Sequence, residues 1–375
     1  MKQIPDTFTT APLVCAVGKD YQIMVPVRRN CVMWVQIGEH IFYDESNGIL
    51  RSETDLHRVT VPMEILDSAG AYSVIWKNVI DRKPYSPELE GEERADFEFH
   101  PLPEDGIRAY MLADTHGFFD QPVAAARAFE EKYGKINLLI LNGDILSHSG
   151  SSESFSLYYQ LAEAITGGAY PVIISRGNHD LRGKCAEILT NYMPGDHGNS
   201  YYTIRLGSVW AVLMDCGEDK TDDHKEYNGV ICCHGFRQRQ TAFLEDVIRR
   251  ADEEYLAEGV KHRVVISHVP FSQVFRHPFY IEQDIYAKWV ELLNREVKPE
   301  FLISGHLHRM YMGFGDDGDF QDAYGAEFPT VVGSMLKREG ETAYYAGCGV
   351  IWEQGSIRVV FNDSEQVLED RLLKD

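Results

Sequence analysis

Residues 107–117, Ile107-Arg-Ala-Tyr-Met-Leu-Ala-Asp114-Thr-His116-Gly117, run mostly apolar to Ala113 and then turn to an acid, an imidazole and a glycine. A short apolar run of this length reads as a strand buried on both faces, and its polar end as a turn. The same pattern recurs downstream. Ile136–Leu141 leads into Gly143-Asp144, Tyr170–Ser175 into Arg176-Gly177-Asn178-His179-Asp180, Arg263–Ser267 into His268, and Phe301–Ser304 into Gly305-His306-Leu307-His308. Between the runs lie longer amphipathic segments, Pro122–Tyr133 with Asp120 as a cap, Glu153–Ile165 and Gln238–Leu256, which predict helices. Strands alternating with helices make an α/β domain, and ligands of such sheets gather at the carboxyl ends of the strands. The polar strand ends can therefore converge although they are far apart in sequence.

The chain upstream reads differently. Tyr21–Val27, Cys31–Phe42, Leu56–Pro62 and Tyr72–Ile80 are strand-like and separated by turn-rich pieces such as Asp44-Glu-Ser-Asn-Gly. A stretch rich in Pro, Glu and Gly follows, from Asp81 to Asp105, with one short strand candidate at Phe97–His100. The expected division is a small immunoglobulin/fibronectin-like β-sandwich over 1–105 and an α/β catalytic domain over 106–375. After His308 the chain returns to strand-like segments, Thr330–Val332, Thr342–Tyr345, Gly349–Trp352 and Ser356–Phe361, which complete a second sheet.

Composition narrows the function classes. Lysine and arginine number 36 against 58 acidic residues, a formal charge of −22. A field of that sign repels polyanions, so nucleic acid is a disfavoured partner, although cations inside a pocket can reverse the sign seen by one phosphate. No long uncharged apolar stretch marks a membrane span. Met1–Val17 shows no small-residue cleavage pattern, and the seven cysteines are odd in number and without paired spacing, so the expected compartment is the cytoplasm.

The strand ends carry a restricted chemistry. Asp gives a hard anionic oxygen, His a neutral nitrogen and Asn an amide oxygen, a donor mixture suited to two ions of Mn, Fe or Zn. A carboxylate between two ions can bridge them at roughly 3.5–4 Å, and Asp144 is the candidate. Gly143, Gly177 and Gly305 each sit beside a candidate ligand, where a bulky side chain would be excluded. Taken singly, Asp-x-His or Gly-Asp is an ordinary turn. Four such elements in order, each directly after a strand, point to one site.

In that order the elements resemble the calcineurin-like metallophosphoesterase superfamily: Asp-x-His, Gly-Asp, Gly-Asn-His-Asp, His and Gly-His-x-His, from Leu112 to Arg309. The resemblance implies a four-layer α-β-β-α sandwich of two mixed sheets flanked by helices. It also implies that Asp114, His116, Asp144 and His308 hold one metal and that Asp144, Asn178, His268 and His306 hold the other. His179 then stands outside both sets, placed to protonate the leaving oxygen, and Asp180 or another carboxylate can hold its ring. The implied activity is hydrolysis of phosphomonoesters or small phosphodiesters by a metal-activated hydroxide.

Departures sort the subfamilies. Protein serine/threonine phosphatases share Arg176-Gly-Asn-His179 but carry an arginine soon after Gly-Asp, where this chain has Ile145-Leu-Ser147-His148. Purple acid phosphatases share the N-terminal β-sandwich but need a tyrosine at the position of Ser147. The likeness is to their architecture without the metal-bound tyrosine.

His148 and Arg176 are candidate substrate contacts, as is Arg182, and His224, His234 and His277 are weaker ones. A bidentate guanidinium suits phosphate, but a salt bridge within so acidic a chain is the competing role. Cys233 and Arg239 have the Cys-x5-Arg spacing of cysteine-dependent phosphatases, yet a loop with one glycine and Phe236 in its middle cannot form a phosphate cradle. The remaining alternatives are a cyclic-nucleotide phosphodiesterase or nuclease of the same fold and a non-catalytic scaffold. The N-terminal sheets are free for protein or glycan contact.

Overall fold

The structure, a computed structural model, describes residues 4–315, 322–339 and 342–374. The apolar runs are strands. Ile107–Leu112, Leu138–Asn142 and Pro171–Ser175 pair in parallel as neighbours, and so do Val209–Leu213, His262–Ile266 and Phe301–Ser304. Leu138–Asn142, Pro171–Ser175, Val209–Leu213 and Phe301–Ser304 are buried at every position. Continuous apolar sequence is what a strand covered on both faces requires.

Two half-sheets result. One runs Tyr202–Leu206, Val209–Leu213, His262–Ile266, Phe301–Ser304 and the start of Thr330–Glu339. The other runs Thr342–Glu353, Ile107–Leu112, Leu138–Asn142, Pro171–Ser175, Leu13–Val17, Asp20–Pro26 and Leu56–Pro62. Thr330–Glu339 and Thr342–Glu353 pair with each other at Met335↔Ala346 to Glu339↔Thr342 and so join the halves. The expected breaks within these late strands are absent, and each runs on to bridge the layers.

Met111, Ile140 and Ile173 meet Ala211, Ile266, Ile303 and Val331 between the halves. On the outside, helices Asp120–Tyr133 and Ser156–Thr166 press Val123, Phe129 and Leu161 onto Leu139, Leu141 and Val172. Helices Cys233–Arg249 and Gln283–Leu292 press Leu244, Val247 and Trp289 onto Trp210, Val212 and Val265. This is the expected order helix, sheet, sheet, helix. Each large apolar side chain so buried contributes about 1.5–3 kcal/mol, which outweighs the weak helix signals at Cys233 and Gln283. The long helix thus begins at Cys233 rather than Gln238 and ends at Arg249, and Asp120 is the first residue of its own helix and makes no capping bond.

Residues 13–98 are rich in strands. Ala71–Asp81 pairs on one side with Glu93–Glu98 and on the other with Cys31–Ile37, which pairs with His40–Tyr43. This small sheet packs Met33, Val35, Val74 and Trp76 against Ile23, Val25, Val59 and Val61. Those last four belong to Asp20–Pro26 and Leu56–Pro62, which continue the larger sheet through Val14↔Pro171 and Cys15↔Val172. Hydrogen bonding therefore crosses residue 105. Among the described residues no helix is long and apolar enough to cross a membrane.

Candidate metal centre

Because the central strands are parallel, their carboxyl ends lie at one edge, and the turns that follow them meet there. Asp114, His116, Asp144, His306 and His308 all take left-handed backbone angles, with φ between 46° and 72°. Each such residue costs of order 1–3 kcal/mol and persists where surrounding structure over-determines it. Close packing of the turns leaves little room. A Cβ on Gly143 would meet Gly177 N at 2.6 Å and His268 Nδ1 at 2.7 Å, and one on Gly305 would meet Asp114 Oδ2 at 2.7 Å.

The ligand candidates converge. Asp114, His116 and His308 offer atoms within 4.8 Å of one another, and so do Asp114, Asp144 and His268. His116, Asp144 and His179 form a third such set, because His179 Nε2 stands 4.0 Å from Asp144 Oδ2. His268 Nε2 lies 3.3 Å from Asp144 Oδ2 and 3.8 Å from Asp114 Oδ1. Its Nδ1 faces the carbonyl oxygen of Asn142 at 2.7 Å. A carbonyl can only accept, so Nδ1 carries the proton and Nε2 is the ring atom aimed at the carboxylates.

Several contacts set possible ligand atoms side by side. His116 Nε2 and His308 Nε2 are 3.1 Å apart. Asn178 Oδ1 faces His306 Nδ1 at 3.1 Å, and turning the amide over lets its nitrogen donate to that atom and to Asp144 Oδ2. Asp114 is fully buried; its Oδ2 accepts from the His306 N–H at 2.8 Å and from the Ser334 hydroxyl, while its Oδ1 has no hydrogen-bond partner among the described residues. A buried carboxylate oxygen without a donor is costly unless a cation faces it. Hard oxygens and imidazole nitrogens gathered in this way fit divalent cations.

Charge distribution agrees. Burial pushes His116 and His306 down to about 4, leaving neutral rings able to ligate. For His268 burial is outweighed by the Asp144 and Asp114 carboxylates, which hold the ring up to about 10. Burial would likewise raise Asp144, but His268, His179 and His116 keep it below the usual carboxylate range.

The other expected contacts fall elsewhere. Asp180 does not hold the ring of His179. It is buried, its Oδ2 accepting from the N–H groups of Asp144 (3.1 Å) and Gly177 (2.8 Å) and its Oδ1 from the Tyr158 hydroxyl (2.8 Å). Burial and the neighbouring Asp144 charge raise it to about 7. His179 Nδ1 instead faces the Ser147 carbonyl at 2.9 Å, and Arg182 Nη1 stands 3.4 Å from its Nε2. Arg176 is bound to Asp215 through Nε and Nη2, each at 2.8 Å, and Arg182 grips the fully buried Glu218 through both carboxylate oxygens. In each case a carboxylate takes up the guanidinium expected to face phosphate. His148 is exposed over Gly150, and its side chain makes no hydrogen bond or ion pair with the described residues.

The Cys233 thiol lies at a helix start, is buried, accepts from the Glu218 N–H and is pushed up to about 11, the reverse of an activated thiolate. Sequence reasoning missed Asn142, whose amide donates to the carbonyls of Ser267 and Ile303 in the opposite half-sheet at 3.3 Å each. It also missed Ser334 and Asp219, whose Oδ2 lies 3.8 Å from His306 Nε2. A lone Ser or Asp in a strand or loop has no signal of its own; of the three only Asn142 carries one, as the polar residue that closes an apolar run.

Comparison with known proteins agrees with this geometry. Residues 107–310, over half of the chain, match the family described as calcineurin-like phosphoesterase. A curated relative, a probable cyclic nucleotide phosphodiesterase of Rhodopseudomonas palustris, is 28% identical over 192 residues, which are 51% of this chain and 63% of that protein. The chain thus spans less than two thirds of that relative's length. A purple acid phosphatase from yellow lupin (Lupinus luteus) seeds shares the fold at a TM-score of 0.60 with 11% identity, over 97% of this chain and 74% of that one. The family match, the fold and the converging ligands together show that the chain belongs to the calcineurin-like phosphoesterase family.

Proposed function

We propose that the chain is a metal-dependent phosphoesterase hydrolysing phosphomonoesters or small phosphodiesters, with cyclic nucleotides in the second group. The observation that carries this reading is the buried Oδ1 of Asp114, which accepts no hydrogen bond from the described residues and lies 3.5 Å from His308 Nε2 and 3.8 Å from His268 Nε2. Asp114, His116, Asp144 and His308 would hold one cation, and Asp144, Asn178, His268 and His306 the other. Once bound, such a pair neutralises phosphate oxygens and brings the pKa of water to about 7.

The chain's own residues do the rest. Asn142 and Ser334 fix the directions of His268 and Asp114. The N–H of His179 donates to Asp144 Oδ1 at 2.8 Å, which ties the proton donor to the shared ligand. With Nδ1–H fixed on the Ser147 carbonyl and the side chain 32% exposed, Nε2 is the atom that delivers a proton to the leaving oxygen. Asp180 acts behind the site, holding the two turns that carry Asp144 and Asn178. The diester arm of the reading is supported by the name of the Rhodopseudomonas relative, and the charge of −22 weighs against long polyanions.

The test is metal analysis of the purified protein, then turnover of p-nitrophenyl phosphate and bis(p-nitrophenyl) phosphate after EDTA treatment and restoration of Mn, Fe or Zn. Restored hydrolysis of either ester is expected. Turnover that survives complete removal of metal would refute the reading.

A further inference from the structure

Beside the metal centre stands a wall of aromatic side chains that the reaction as described does not use. The Phe275 ring lies perpendicular to that of His306, with centroids 6.3 Å apart. Four residues on, Phe279 is 38% exposed, and the Lys220 ammonium sits over its ring at 5.1 Å from the centroid. Lys220 is itself anchored. Its Nζ donates to Asp219 Oδ1 at 2.8 Å and pairs with Glu226 at 3.1 Å, and Asp219 is the carboxylate 3.8 Å from His306 Nε2. A chain of three contacts thus links the Phe279 ring to a candidate metal ligand.

The segment is also braced from behind. Arg237 is fully buried, donates through Nε to Cys216 O at 2.7 Å and through Nη2 to Glu218 O, and pairs through Nη1 with Glu282 at 2.9 Å. One guanidinium therefore ties the loop carrying Asp219 and Lys220 to the end of the loop carrying Phe275 and Phe279. A single exposed aromatic is ordinary on a protein surface. One held by a cation on one face, on a braced loop at the rim of a phosphoester site, is pre-organised to receive a flat ring on the other, and pre-organisation reduces the entropy cost of binding.

We propose that Phe279 is a specificity-determining residue on which an aromatic ring of the substrate, of the nucleobase class, stacks while its phosphate occupies the centre. The inference rests on the phosphoesterase reading and deepens it. Recognition by stacking tolerates different bases, because each offers a flat π-face, and it leaves the reacting atoms untouched. Lys220 and Asp219 are positioning residues for this shelf, since they act through Phe279 and its loop.

The test is equilibrium binding to the Mn-loaded full chain by calorimetry, with adenosine monophosphate and phenyl phosphate, each as its hydrolysis-resistant phosphonate, and inorganic phosphate as probes. Adenosine monophosphate should bind more tightly than inorganic phosphate, by about five- to a hundredfold. Phe279→Ala should abolish most of that difference and leave both phosphate affinity and metal content unchanged, while Phe279→Trp should retain it. Phenyl phosphate should bind more weakly than adenosine monophosphate, and equal affinity of the two would overturn the assignment to the nucleobase class. Equal affinities of wild type for adenosine monophosphate and phosphate, or a Phe279→Ala variant that keeps the difference, would overturn the inference. Because binding is read without turnover, failure of hydrolysis is seen separately in the nitrophenyl assays.

Discussion

The N–H of His306 donates to Asp114 Oδ2 at 2.8 Å across 192 residues of chain, joining the first turn of the site to its last. The bond uses one carboxylate oxygen and leaves the other for a cation. Asp114→Asn preserves the acceptor for His306 but turns an NH2 group towards His308 and His268. Elemental analysis should then find the ion held by His116 and His308 lost and the other retained. Asp144→Asn should lower both, because it removes the shared ligand; full occupancy in that variant would disprove the bridge.

His179 should behave differently from the ligands. In His179→Ala, metal content is expected to stay at the wild-type level while turnover of an alkyl phosphate drops by about 10²–10⁴-fold. A nitrophenyl ester, whose leaving group needs little protonation, should lose far less. Equal losses on the two esters would remove the ring from proton transfer.

Asp180 is a structural brace, so its variants should show in stability. Three donors converge on its two oxygens, and an amide offers them one acceptor and an unwanted donor. Asp180→Asn should cost roughly 2–3 kcal/mol and Tyr158→Phe about 1 kcal/mol, read from denaturant unfolding of the metal-loaded protein. If Tyr158→Phe proved the more damaging, the carboxylate would not be the hub.

The metal-stripped protein should carry a pH dependence that the loaded protein lacks. His268 in the folded chain is raised to about 10, against about 6.5 unfolded. A raised pKa stabilises fully below the unfolded value, and the contribution fades as pH climbs from about 6.5 through 10. Tm of the stripped protein should therefore fall over that window by more than Tm of stripped His268→Asn. With metal bound, His268 must be neutral and the slope attributable to it should vanish.

Much of the site was legible because each strand end announces itself. Asp114, His116, Asp144, Asn178, His268, His306 and His308 follow apolar runs, and parallel strands buried on both faces place their ends at one edge. Register and partnership were not legible. Leu13–Val17 is as apolar as its neighbours, so nothing in its pattern says that Val14 pairs with Pro171 rather than within a separate sheet. Charge partners were hidden for a related reason. Arg176 and Arg182 sit beside the ligands in sequence, but whether a guanidinium turns to phosphate or to Asp215 and Glu218 depends on a loop with no periodicity to read. The small-to-medium polar residues that direct ligands, such as Ser334, carry no pattern at all.

The long antiparallel pair Thr330–Glu339 and Thr342–Glu353 sets an order on assembly. Every candidate ligand lies at or before His308 in the chain, yet the hydroxyl on Asp114 and the strand that flanks Ile107–Leu112 come from residues 334 and 348–352. A nascent chain that stops before this hairpin carries the full ligand complement without the scaffold that aligns it. Cation loading should thereby wait until this hairpin has paired.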